Sequence, residues 1–97
     1  MIFLRRVVGD SMMPGLRDGQ YVWAYITRNF SVGDVVVAFV NGREVVKRIK
    51  KMEKGKVYLR GDNDSSSTDS RVYGWIGDQY IEGVVFWPRP TKHKQAK

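Results

Sequence analysis

The chain has 97 residues, 42% of them hydrophobic, which is enough for one domain with a small core. At this size roughly two thirds of the unfolded surface can be buried. There is no cysteine, which excludes disulfides and thiolate chemistry, and apolar runs such as Val35–Val40 fall far short of the about 20 residues of a membrane-spanning helix or the roughly 7–15 of a signal-peptide core. A net charge of +7 fits nucleic acid or an anionic membrane as a partner. Its placement favours a solvated surface instead: Lys92, Lys94 and Lys97 follow Pro88-Arg89-Pro90, and Lys50, Lys51, Lys54 and Lys56 surround one turn. The expectation from composition is a soluble chain with at most peripheral membrane contact. Residues 1–90 read as one domain, and 91–97 as a basic, disordered tail.

Phe3 to Val8 reads as a short strand leading into a turn at Gly9-Asp10-Ser11-Met12-Met13-Pro14. Pro14-Gly15 and Asp18-Gly19 are turn signals. From Gln20 to Thr27 the sequence alternates Tyr21, Trp23 and Tyr25 with Val22, Ala24 and Ile26, so both faces of this strand are expected to be covered. Further strands are predicted over Asp34–Val40, Arg43–Met52, Lys56–Arg60 and Gln79–Trp87, with a polar loop, Gly61 to Arg71, before the last. No segment has a convincing helical period, and β-branched and aromatic residues dominate. The fold class is therefore all-β, a small coiled antiparallel sheet or partly open barrel.

Asn41-Gly42 between two apolar runs is a strong hairpin signal. As a two-residue loop it sets Val40 opposite Arg43, Ala38 opposite Val45 and Val36 opposite Lys47. Side chains alternate across a strand, so Lys47 shares the apolar face of Val36, Ala38, Val45 and Ile49, while Arg48 points the other way with Glu44 and Lys50. An ammonium on such a face either snorkels to the sheet edge or is buried at a cost that lowers its pKa and makes neutral amine available.

Ser11 needs a base to act as a nucleophile. The one histidine, His93, sits beyond Pro90 in the basic tail, a poor anchor for a Ser-His-Asp triad. Asp62, Asn63 and Asp64 superficially suggest a calcium loop, but an EF-hand counted from Asp62 needs glycine at 67 and glutamate at 73, where the chain has Ser67 and Tyr73. A turn-rich loop explains Asp62, Asp64 and Asp69 more simply than paired-carboxylate catalysis does. No metal and no cofactor is expected. Elimination leaves Ser11 with Lys47.

Four stretches in order resemble the signal peptidase I family of serine-lysine proteases. Ser11-Met12-Met13-Pro14 is similar to its nucleophile motif, and Gly33-Asp34-Val35-Val36-Val37 to a characteristic strand start. Lys47-Arg48 is similar to its general-base motif. Gly61-Asp62-Asn63, Ser67, Asp69-Ser70-Arg71 and Gly74 match a further signature, and Phe86-Trp87-Pro88-Arg89 resembles the ending of many members. The resemblance implies a LexA- and signal-peptidase-like catalytic core. In it Ser11 attacks the scissile carbonyl, neutral Lys47 is the base, and Ser67 orients the Lys47 amine. Asp69 pairs with Arg71 to hold the loop, which Asp62 and Asn63 shape. Many members carry a serine two positions before the nucleophile. Here that position is Gly9, so the oxyanion is expected to rest on backbone N–H groups, those around Gly9 and Ser11.

The resemblance also implies a protein substrate in extended conformation, a signal peptide or propeptide. Members of that family are normally held by an N-terminal membrane anchor, and only eight residues precede Gly9 here, so the resemblance implies either a cytoplasmic relative or a membrane-associated protein whose anchor was removed. In its short length the chain resembles the nickel-type superoxide dismutase maturation proteases. Self-cleaving SOS-type repressors share the Ser-Lys chemistry but cut themselves at Ala-Gly, a dipeptide this sequence lacks. The competing reading is a nucleic-acid-binding β module that stacks bases on Tyr21, Trp23 and Tyr25. The exposed aromatic and methionine residues expected near Ser11 suit docking on a membrane or a protein.

Overall fold

A computed structural model describes residues 1–66 and 68–90. The expected tail, 91–97, and with it His93, lies outside the described residues. Strands β1 (Ile2–Arg6), β2 (Tyr21–Tyr25), β3 (Val35–Val40), β4 (Arg43–Glu53) and β5 (Lys56–Arg60) come first. A four-residue helix α1 (Ser70–Tyr73), a short β6 (Ile76–Gly77) and β7 (Ile81–Trp87) follow. All strand pairs are antiparallel, and the sheet runs β1-β2-β7-β3-β4-β5-β6, curled into a half-barrel. This is the all-β, partly open architecture expected from the sequence.

The Asn41-Gly42 hairpin fixes the register of the centre. Both residues have positive φ, 52° and 81°, the backbone of the turn whose twist matches that of its strands. Val40 pairs with Arg43, Ala38 with Val45, and Val36 with Lys47, as the two-residue loop requires. β3 is paired on both edges, with β7 and β4, and each of its faces packs into a separate core, which is why Val35, Val36, Val37 and Ala38 form an unbroken buried run. Val36, Ala38 and Val40 enter one core with Ile49, Leu59 and Val84; Val35 and Val37 enter a second with Val22, Ala24 and Val85.

Three expectations fail. β2 is covered on one face only: Val22 and Ala24 are buried, while Tyr21, Trp23 and Tyr25 remain exposed. The alternation is that of a strand at the sheet margin, with large aromatics on its open side. Ile26 is also exposed, because β2 ends at Tyr25. Met12, expected at the surface beside Ser11, is buried in the second core, and Met13 is half-buried.

Candidate active site

The Ser11 turn is built on buried anchors. Val7 and Gly19–Gln20 exchange backbone hydrogen bonds of 2.7 Å, closing the loop at its base, and the Gly9 N–H donates to Asp18 Oδ1 at 2.7 Å. Met12 and Leu16 plug into the second core and join through the Leu16 N–H to Met12 carbonyl bond of 3.0 Å. Ser11 itself is half-buried. Gly9 has φ of 91° with open space where a Cβ would stand, so the backbone rather than crowding favours glycine there. Its N–H is engaged by Asp18. Among the described residues, the Ser11 N–H has no acceptor.

A second segment is laced to this turn. The Asn63 N–H donates to the Ser11 carbonyl at 2.8 Å, and Asn63 Nδ2 donates to the Asp10 carbonyl at 3.1 Å. The preceding residue, Asp62, is clamped by Arg48, whose Nε and Nη2 donate to its two oxygens at 2.9 Å each. Arg48 Nη1 also donates to the Gly33 carbonyl at 2.8 Å, so the Gly33-Asp34 turn presents that oxygen to the clamp. A bidentate pair this sheltered fixes geometry as well as charge. The chain of contacts thus runs from the Ser11 turn through Asn63 and Asp62 to Arg48, the neighbour of Lys47 on β4. Sequence reasoning gave Arg48 no partner. The signal for one was a Lys-Arg pair on a strand, which must send its cations to opposite faces, followed by an aspartate in the next loop.

Lys47 does not snorkel. It is only 5% exposed, on the face of Val36 and Ile49. Burial depresses its pKa; the Asp69 carboxylate opposes that, and Arg43 and Arg71 add to it. Among the described residues no hydrogen bond joins Lys47 to Ser11. Ser67, expected to orient the amine, lies outside the described residues.

Asp69 is fully buried. It caps α1 by accepting from the Arg71 N–H at 3.1 Å, takes the Gly61 N–H at 2.8 Å, and receives Arg71 Nε and Nη2 at 3.0 Å each. Burial pushes its carboxyl up, but these donors outweigh it and hold the pKa at about 2. The Asp69–Arg71 pair therefore joins a fully buried carboxylate to a guanidinium that remains 34% exposed at the surface. Ser70, also buried, accepts the Leu59 N–H at 2.8 Å, so the loop is pinned to β5 at Leu59 and just beyond its end at Gly61. A cleft of about 880 Å³, lined by Gly33, Arg48, Arg60 and Gly61, flanks the clamp without touching Ser11 or Lys47. Among the described residues there is no cluster of histidine and carboxylate groups able to hold a metal.

The sequence profile of the Peptidase S24-like family matches residues 1–86. The chain belongs to that family. Membership supports a peptidase-type function and, with it, a protein substrate. Comparison with individual curated proteins gives no match. No helix among the described residues is long and apolar enough to cross a membrane.

Proposed function

We propose that the protein is a serine endopeptidase in which Ser11 is the nucleophile and Lys47 the general base. The observation that carries this reading is Lys47 itself: a cation held almost without solvent on an apolar strand face, with its pKa depressed chiefly by that burial. A lowered pKa leaves more of this amine in the neutral, proton-accepting form than an exposed lysine has, which is what a general base requires. Lys47 takes the Ser11 hydroxyl proton as Oγ attacks the scissile carbonyl, delivers it to the leaving amine, and then deprotonates the water that cleaves the acyl-enzyme. The Ser11 N–H is the backbone donor for the oxyanion, since that of Gly9 is engaged by Asp18. Ser67 orients the Lys47 amine.

The substrate is an extended segment carrying a removable N-terminal peptide. β1 is one of the sheet's two edge strands and ends shortly before Ser11, which suits pairing of such a segment as an added strand. Within this reading the best assignment is maturation of a nickel-type superoxide dismutase, with signal-peptide removal as the competing role.

The test offers a nickel-dismutase propeptide fusion and a secretory preprotein to wild type and to Lys47→Ala, followed by intact-mass spectrometry. Lysine-dependent cutting of the fusion alone supports maturation. Cutting of the preprotein assigns signal-peptide removal, and cutting of neither by folded protein removes the proposal.

A further inference from the structure

The half-barrel curls until its edge strand meets β4. Phe3 of β1 lies against β7, where a Cβ on Gly83 would stand 2.7 Å from the ring, and Phe3 and Val46 of β4 both pack on the second core. Arg5 crosses from β1 to β4: its Nε donates to Glu44 Oε1 at 2.7 Å and to Oε2 at 2.9 Å. Two unpaired strand edges are thereby brought together. β1 has β2 as its one neighbour, and β5 pairs with β4 from Arg48 onward, so among the described residues 43–47 of β4 pair with β3 alone.

The same guanidinium occupies the open edge of β1. The Val7 N–H donates to Gln20 and the Met1 carbonyl accepts from Ile26, so alternate residues turn their peptide groups toward β2, while Leu4 and Arg6 turn theirs to the open side. Arg5 Nη1 donates to the Leu4 carbonyl at 2.9 Å. The Phe3 ring, with its centroid 4.7 Å from the guanidinium carbon, supports the group from one face. One side chain thus holds Glu44 with Nε and takes with Nη1 an acceptor that an incoming strand needs. The guanidinium fork allows this double use, and a single ammonium does not. The two side chains remain 40% and 34% exposed, so the contact opens at little cost.

We propose that Arg5 is a gate on the substrate edge: its contact with Glu44 shuts the slot between β1 and β4, and a substrate strand enters as the guanidinium gives up the Leu4 carbonyl. The gate presupposes the endopeptidase reading of Ser11 and Lys47 and adds regulation to that site. β1 leads into the Ser11 turn and β4 carries Lys47, so a strand laid along this edge runs toward the nucleophile beside the strand of the base. The competing role is a plain edge guard against self-association.

The experiment reads affinity and cleavage separately on the full chain. In a Ser11→Ala background, titration calorimetry measures binding of the uncut propeptide fusion and of the preprotein; with Ser11 intact, the same substrates give KM and kcat. Arg5→Gln should tighten binding about three- to tenfold and lower KM by a similar factor, because the free protein no longer spends its time shut. Glu44→Gln, which leaves the Glu82 carboxyl near the guanidinium, should act in the same direction by less. Loss of a merely structural ion pair weakens binding or leaves it unchanged, so the sign is the readout, and circular dichroism checks that both variants fold. Unchanged or weaker binding in Arg5→Gln overturns the gate, as does self-association without a gain in substrate affinity. So does failure of every variant to bind either substrate, since the opened edge then receives no strand. Tighter binding without any cutting by protein that retains Ser11 would remove the Ser11–Lys47 reading and keep the gate. Lys47-dependent cutting with KM unmoved in Arg5→Gln would keep that reading and remove the gate.

Discussion

Replacing Asp69 by asparagine separates its structural work from its electrostatic effect on Lys47. The side chain is fully buried, with a pKa held at about 2 against an ordinary 3.8. Because the folded value is the lower one, its contribution is complete above the ordinary value and is lost as pH falls through about 2. At about 1.4 kcal/mol per unit, the charge contributes about 2 kcal/mol at neutral pH. Asparagine removes that and turns an NH2 group toward either the Gly61 N–H or the Arg71 guanidinium, for a total near 2–4 kcal/mol. A domain with about 5–15 kcal/mol of stability survives this loss, and urea unfolding reads it directly. The second effect is on the base. The Asp69 carboxylate raises the proton affinity of Lys47, so without it the Lys47 pKa falls further. The acidic limb of the cleavage rate against pH should then move to lower pH, even as the protein becomes less stable. An acidic limb that stays in place or moves upward in folded Asp69→Asn would refute the coupling.

Asp62→Ala takes the carboxylate from a guanidinium only 11% exposed and should cost about 1–3 kcal/mol. Because Asn63 then loses its anchored neighbour, kcat should fall with little change in KM; an unchanged kcat would contradict the clamp's role in placing the Ser11 turn. Glu82 is pushed up to about 7 by burial and by the neighbouring Glu44 carboxyl, from an ordinary 4.5. Its folded form therefore binds the proton more tightly than the unfolded chain, and the associated stability, present below the ordinary value, is lost as pH rises through about 7. Glu82→Gln should flatten Tm against pH across that window, and an unaltered profile would count against the pair. Gly9→Ser meets no steric obstacle but must adopt φ of 91°, so a destabilisation of about 1 kcal/mol is expected in urea unfolding. A neutral or stabilising outcome would contradict the backbone assigned to that turn.

The centre of the fold was legible because local chemistry determines it. Asn41 and Gly42 both tolerate positive φ, the two-residue turn sets the register, and the register puts Lys47 on the apolar face before any tertiary contact is considered. The margins were less legible because they depend on what packs against them. Alternation along β2 shows two faces but not that one of them lacks a cover. Met12 reads as a surface residue until the 7–20 loop is seen to fold its side chain into the second core. At the candidate site, the family resemblance pointed to Asp62, Asn63, Asp69 and Arg71, where the residues by themselves read as a turn-rich loop, yet the side chain that ties this loop to β4 is Arg48. That pairing joins residues 14 positions apart through a turn whose direction the sequence does not specify.

The central claim is that Lys47 is buried for its chemistry rather than for stability, and Lys47→Met separates the two. Methionine fills a similar unbranched volume and removes a cation that is only 5% exposed. The measurement is propeptide cleavage and urea unfolding on the same preparation. The account predicts that cleavage is abolished, as in Ser11→Ala, while stability at neutral pH rises by about 1 kcal/mol or more. Retained cleavage would remove Lys47 as the base, and a steep loss of stability would make its ammonium a structural partner of Asp69 instead.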